Sequence, residues 1–131
     1  MESQSLNNAA NLSPEASVSG KPKVLILDDE TVLCTMLQDI LEEYQFETRT
    51  AEDCETALEI TREFKPTVAL VDFRLANITG IEVAQQLKKI DEDLPVILMT
   101  AYPSLDLAVK AIQNDIYDFL SKPVDKAYLL R

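Results

Sequence analysis

Val68-Ala69-Leu70-Val71-Asp72-Phe73-Arg74-Leu75-Ala76-Asn77-Ile78-Thr79-Gly80 runs four apolar residues, two of them β-branched, straight into a carboxylate. Nothing polar interrupts the run, so it predicts a strand buried on both faces that presents Asp72 at its carboxyl end. In an open parallel α/β sheet, that edge is where ligands bind. Taken alone, the stretch is equally compatible with Asp72 doing no more than starting a turn. The rest of the chain decides between the two.

Upstream, Val24-Leu25-Ile26-Leu27 is a second buried run that ends on Asp28, Asp29 and Glu30. Leu33, Met36, Leu37, Ile40, Leu41 and Tyr44 then recur at helical spacing and form one apolar stripe, expected to be core. Residues 46–50 are more polar and suit a sheet edge, and residues 53–64 predict a helix packed through Cys54, Ala57, Leu58 and Thr61. Lys65-Pro66 ends that helix. Downstream of the opening stretch, Val83, Ala84, Leu87 and Ile90 mark a third helix, and residues 95–100 a fourth strand that ends on the hydroxyl of Thr100. Leu105, Ala108, Val109 and Ile112 mark a fourth helix, stopped without glycine at Asn114 or Asp115. Residues 117–120 make a fifth strand, residues 121–123 a loop, and Asp125 caps a last helix. Five strands alternating with helices predict a right-handed, doubly wound parallel sheet with helices on both faces.

The chain has 131 residues, 47% of them hydrophobic, enough for one core of ordinary domain size. Residues 1–20 are rich in Ser, Asn and Ala with no apolar period, and read as a disordered leader. The net charge is −11 and Lys and Arg are scattered, which argues against direct nucleic acid binding. No apolar run approaches the roughly 20 residues of a membrane span, and no signal peptide is present, so a cytoplasmic location is expected. Cys34 and Cys54 are too far apart in sequence for a metal pair and read as buried thiols. There is no histidine, which excludes a histidine phosphocarrier, His-dependent nucleophile systems and His-ligated zinc within this chain. Its chemistry must run on carboxylates, hydroxyls and lysine.

In such a sheet the ends of strands one, three, four and five open on one face, bringing together Asp28, Asp29, Asp72, Thr100 and Lys122. Three close carboxylates resist ionising together unless a cation sits among them. Mg2+, a hard ion that takes oxygen ligands and works with phosphate, fits that need. A carboxylate can also attack phosphorus to form an aspartyl phosphate, with Lys122 and the Thr100 hydroxyl binding phosphoryl oxygens.

Leu-Asp-Asp-Glu at 27–30, Val-Asp-Phe-Arg-Leu at 71–75, Thr-Ala at 100–101 and Lys-Pro at 122–123 together resemble the response regulator receiver domain, in order and spacing, from about Lys21 to the end of the chain. The resemblance implies a flavodoxin-like fold with strand order 2-1-3-4-5 and a receiver domain over residues 21–131, its last helix cut short. It implies Asp72 as phosphoacceptor, Mg2+ held by Asp28 (through water), Asp29, Asp72 and the backbone carbonyl of Arg74, and Thr100 and Lys122 on the phosphoryl group. Phe119 takes the place of the switch aromatic, and Lys122-Pro123 is expected to be cis. The implied function is a two-component signalling switch rather than an enzyme, catalysing at most its own phosphorylation and dephosphorylation. The implied partners are a sensor histidine kinase or histidine phosphotransfer protein, a C-terminal output domain, and a second copy in a phosphorylation-dependent homodimer.

Three departures from the family pattern stand out. Ala76 stands where proline is usual, Asp115 where glycine is common, and the chain stops at Arg131, short of a full last helix. Two other readings remain open at this point. One is a receiver-like module that only binds partners. The other is a haloacid dehalogenase-like phosphatase with Asp28 as nucleophile and Glu30 as acid, although the acidic pair that class needs after its lysine is reduced here to Asp125.

Overall fold

The structure, a computed structural model, describes residues 20–102 and 104–124, and only the backbone of Leu105 and Asp106. The leader expected over residues 1–20 (all but its last residue), the helix capped by Asp125, and the Leu105 side chain lie outside the described residues.

Among the described residues nine elements alternate: β1 (Lys23–Leu27), α1 (Thr31–Glu43), β2 (Glu47–Ala51), α2 (Cys54–Phe64), β3 (Val68–Asp72), α3 (Gly80–Ile90), β4 (Val96–Thr100), α4 (Leu105–Gln113) and β5 (Asp118–Ser121). The strands form one parallel sheet in the order β2-β1-β3-β4-β5. This is the doubly wound arrangement expected from the alternation. The apolar runs of β3 and β4 are buried along their whole length, because helices cover both faces of the sheet. On the edge strand β2, Glu47 and Arg49 are exposed while Thr48 and Ala51 are buried.

One layer packs Cys34, Leu37 and Leu41 of α1 against Val24, Ile26, Val68, Leu70, Ile97 and Met99. On the other face Ala57 of α2, Val83, Ala84 and Leu87 of α3 and Leu107 of α4 meet Leu25, Leu27, Ala69, Val71, Val96 and Leu98. Alternate residues of each strand serve opposite layers, as a strand period of two requires.

Local chemistry fixes the helix ends. The Asp53 carboxylate accepts the Thr56 N–H at 2.8 Å, which makes Asp53 the cap of α2 rather than its first residue. Thr79 and Glu82 form a reciprocal capping box at the start of α3, and Ser104 Oγ accepts the Leu107 N–H at 3.1 Å to start α4. Lys65 ends α2 in the left-handed region just before Pro66, and Asp115 takes φ +60 after α4.

Three packing expectations are corrected. Among the described side chains of α4 the buried ones are Leu107 and Ala111, while Val109 and Ile112 are 44% and 78% exposed. Leu107, Ala108, Val109, Ala111 and Ile112 make two apolar stripes of similar quality, and only contact with the sheet selects one. Met36 in α1 and Tyr44, which caps its end, are exposed and Cys34 takes the buried place beside Leu37, because the helix face turned to the sheet is narrower than the apolar stripe. Cys54, expected to be buried, is only half-buried, since it lies in the first turn of α2 where the helix leaves the sheet edge. The strand bounds differ by a residue: β2 runs to Ala51 and β5 to Ser121, because backbone pairing with Leu27 and Thr100 extends that far.

Candidate functional site

Backbone pairing carries each strand end into the same cleft. The Asp28 N–H donates to the Ala51 carbonyl at 3.1 Å, Phe73 N–H to the Met99 carbonyl at 2.8 Å, and Lys122 N–H to the Thr100 carbonyl at 2.7 Å. The sheet hydrogen bonding thus runs past each strand and holds Asp28, Asp72, Thr100 and Lys122 side by side. The Lys122-Pro123 bond is cis, as expected.

Asp28 is fully buried and Asp72 nearly so, whereas Asp29 is exposed. Lys122 Nζ lies 2.8 Å from Asp28 Oδ2 and 3.0 Å from Asp72 Oδ1, bridging the two acids. Asp28 Oδ1 accepts the Glu30 N–H at 2.9 Å. Asp28 Oδ2 has only the ion pair; no described group meets it with hydrogen-bond geometry. Thr100 is buried, and its Oγ1 accepts the Tyr102 N–H at 3.1 Å, leaving the hydroxyl hydrogen to be donated into the cleft. The opening itself, about 190 Å³, is lined by Asp72, Phe73, Arg74, Thr100, Ala101, Tyr102 and Lys122.

The electrostatics follow from this packing. Burial, reinforced by the charge of Asp28, raises the pKa of Asp72 above the ordinary carboxylate value, against the opposing pull of Lys122 and the Arg74 N–H. For Lys122, burial alone would lower the pKa, but pairing with Asp28 and Asp72 outweighs it and the net shift is upward. The Cys34 thiol, whose Sγ donates to the Asp28 carbonyl at 3.3 Å, is pushed up to about 11 by burial and by the nearby charges of Asp28 and Glu52.

Oxygens of Asp28, Asp29 and Asp72 all lie within 4.8 Å of one another. One lysine faces these three acids, the donor set is entirely oxygen, and one buried carboxylate oxygen lacks a hydrogen bond. These residues fit a hard divalent cation. The loop beside them is closed by an antiparallel Arg74–Thr79 bridge, by Leu75 N–H to the Ile78 carbonyl at 3.3 Å, and by Gly80 N–H to the Phe73 carbonyl at 2.7 Å. Phe119 pairs in register with Leu98 and is half-buried against the α2–α3–α4 layer.

Every candidate side chain named from the sequence therefore lies at or beside one end of the sheet. What sequence reasoning passed over is the start of α3. Thr79-Gly80-Ile81-Glu82 carries a capping-box signature, which could have placed that helix terminus, and hence Gly80, directly after the loop of Asp72.

A family profile described as the response regulator receiver domain matches residues 24–131. The chain belongs to that family, whose function is that of a phosphorylation-dependent switch in two-component signalling, and it is not a conventional enzyme. The phosphatase reading falls away. Among curated relatives, the transcriptional regulatory protein ZraR of Klebsiella oxytoca is 37% identical over 102 residues, 78% of this chain and 23% of that protein. The C4-dicarboxylate transport transcriptional regulatory protein DctD of Pseudomonas aeruginosa is 34% identical over 119 residues, 91% of this chain and 26% of that protein. The chain thus spans about a quarter of the length of these relatives. Among solved structures, the chemotaxis protein CheY4 of Vibrio cholerae superposes with a TM-score of 0.80 at 23% identity, covering 84% of this chain and 93% of that one. A response regulator of Burkholderia pseudomallei, described as holding a phosphorylated aspartic acid, a calcium ion and citrate, gives a TM-score of 0.77 at 26% identity, covering 84% of this chain and 65% of that one.

Proposed function

We propose that Asp72 is the phosphoacceptor, that Asp28, Asp29, Asp72 and the Arg74 carbonyl hold Mg2+, and that Thr100 and Lys122 bind the phosphoryl oxygens. The observation that carries this reading is the position of Lys122, within 3.0 Å of both buried acids, beside a cleft whose other wall is the Thr100 hydroxyl. In the reaction, an Asp72 carboxylate oxygen attacks the phosphorus of a phosphohistidine whose other ring nitrogen carries a proton, a P–O bond forms, the P–N bond breaks with its electron pair going to nitrogen, and neutral imidazole leaves. Bound Mg2+ would offset charge on the transferring phosphoryl group. The chain's own part is to hold the Asp72 oxygen toward the cleft, keep Lys122 charged by its pairing, and offer the Thr100 hydrogen to a phosphoryl oxygen. The phosphorylated aspartic acid and calcium ion of the Burkholderia pseudomallei neighbour support the same reading.

The donor in this reading is a histidine kinase or histidine phosphotransfer protein, which membership of the receiver family supports. The greater length of the curated relatives supports an output domain after the receiver unit. The family of the chain supports a cytoplasmic location, and among the described residues no helix is long and apolar enough to cross a membrane. The switch begins when Thr100 moves toward the phosphoryl group, after which Phe119 turns inward and the α4–β5 surface changes. The test is labelling by phosphoramidate with Mg2+, read by intact mass. Wild type gains one phosphoryl group and Asp72→Asn gains none. An Asp72→Asn chain labelled at the wild-type rate would refute the assignment.

A further inference from the structure

The geometry points to Gly80 as a positioning residue for the Asp72 site: the absence of a side chain there sets how the strand end and the Arg74 loop face the cation and the phosphoryl group. This rests on the phosphoacceptor reading above. A Cβ at position 80 would stand 2.6 Å from the Asp72 carbonyl oxygen, 2.9 Å from Phe73 Cα and 2.9 Å from Leu98 Cδ2. Two of these three atoms are backbone and cannot rotate away. Gly80 does not take a positive φ, unlike Gly20, so backbone freedom is not what the position asks of glycine. Space is.

The close approach is held by a bond. Gly80 N–H donates to the Phe73 carbonyl at 2.7 Å, so the first residue of α3 is tied to the residue that follows Asp72. Relieving contacts of 2.6 and 2.9 Å needs a shift of about half an ångström or more, because carbon and oxygen atoms rest well beyond 3 Å. That shift falls on the Asp72–Phe73 peptide and on the loop closed by the Arg74–Thr79 bridge. Both carry proposed metal ligands, and the Asp72 carboxylate must keep its 3.0 Å contact with Lys122. If Gly80 served packing alone, its replacement would lower stability and leave the site chemistry intact. A positioning role predicts a loss of cation affinity and transfer rate beyond what the lost stability explains.

The experiment compares Gly80→Ala with Asp53→Ala in the full chain. Asp53→Ala removes the α2 cap and so costs stability without adding an atom near Asp72. Mg2+ affinity is read from amide NMR shifts of Asp28, Asp29 and Asp72, and transfer from phosphoramidate labelling at saturating Mg2+. Gly80→Ala should bind Mg2+ about 10- to 100-fold more weakly and label more slowly even when saturated, while Asp53→Ala keeps wild-type values. If Gly80→Ala melts too early in buffer, both variants and wild type are measured in trimethylamine N-oxide, which favours the compact state. A folded Gly80→Ala with wild-type affinity and labelling overturns the proposal. So does an Asp53→Ala that loses as much affinity. Failure of the phosphoacceptor reading shows separately, as a wild-type chain that gains no mass at Asp72.

Discussion

Replacing Lys122 by methionine keeps most of the aliphatic stem and removes the one charge that bridges Asp28 and Asp72. Both carboxylates are buried; Asp28 has no exposed surface and cannot turn to water when the ammonium is lost, and Asp72 meets solvent only where it lines the cleft. Removing one partner of a buried ion pair costs about 3–5 kcal/mol. The low end applies here, because the Lys122 side chain is 18% exposed at the cleft and Asp72 can escape by taking up a proton. At roughly 4–8 °C per kcal/mol for a domain near this size, about 3 kcal/mol lowers the melting temperature by roughly 12–24 °C in the presence of a chelator. Mg2+ should recover much of the loss by supplying positive charge to the same acids. Acid should recover part of it too. The folded pKa of Asp72 already lies above its ordinary value through burial and the charge of Asp28. Its favourable contribution is therefore complete below the unfolded value of about 3.9 and is lost as pH rises through the folded value. Without Lys122 that folded value climbs further, so the deficit of Lys122→Met relative to wild type shrinks as pH falls from neutral toward about 4. Melting followed by circular dichroism, with chelator or Mg2+ and across pH, checks each part. A variant that melts within about 3 °C of wild type in chelator at neutral pH, or a deficit unchanged by Mg2+, would refute the account.

Three other outcomes are expected. With an aromatic disulfide reagent at mildly alkaline pH, Cys54 should react in the native protein and Cys34 only after denaturation, since Cys34 is buried with its thiol pushed up to about 11; simultaneous reaction of both would contradict this. Asp115→Gly should raise stability by about 0.5 kcal/mol, because φ +60 strains a residue with a Cβ and the Lys88 pair it loses is long, at 3.7 Å, with the Asp115 carboxylate 89% exposed; a lower melting temperature would show that the pair matters more than the strain. Gln85→Ala removes the 2.7 Å bond from α3 to Asn114, whose own Nδ2 donates to the Lys110 carbonyl and caps α4. Amide exchange in the last turn of α4 should then quicken by about two- to fivefold, and unchanged exchange would mean that Leu107 and Ala111 alone hold the helix.

The strand runs 24–27, 68–71 and 96–99, the acids and hydroxyl that follow them, and Lys122 after the fifth strand were legible in the sequence because burial on both faces leaves the three runs no room for polar interruption, and because a parallel sheet sends every carboxyl end to one edge. That topology needs no side-chain detail to bring Asp28, Asp72, Thr100 and Lys122 together. Packing choices were a different matter. α4 offers two apolar stripes, and whether Val109 and Ile112 or Leu107 and Ala111 face the sheet is settled by contact with β4 and β5, not by periodicity. The pairing of Lys122 with both buried acids, and the approach of Gly80 to the Asp72 carbonyl so close that an added Cβ would stand 2.6 Å from it, depend on residues brought together from distant parts of the chain or across a closed loop. A sequence specifies such distances only through the whole fold, since they are set to fractions of an ångström by packing that no local pattern records.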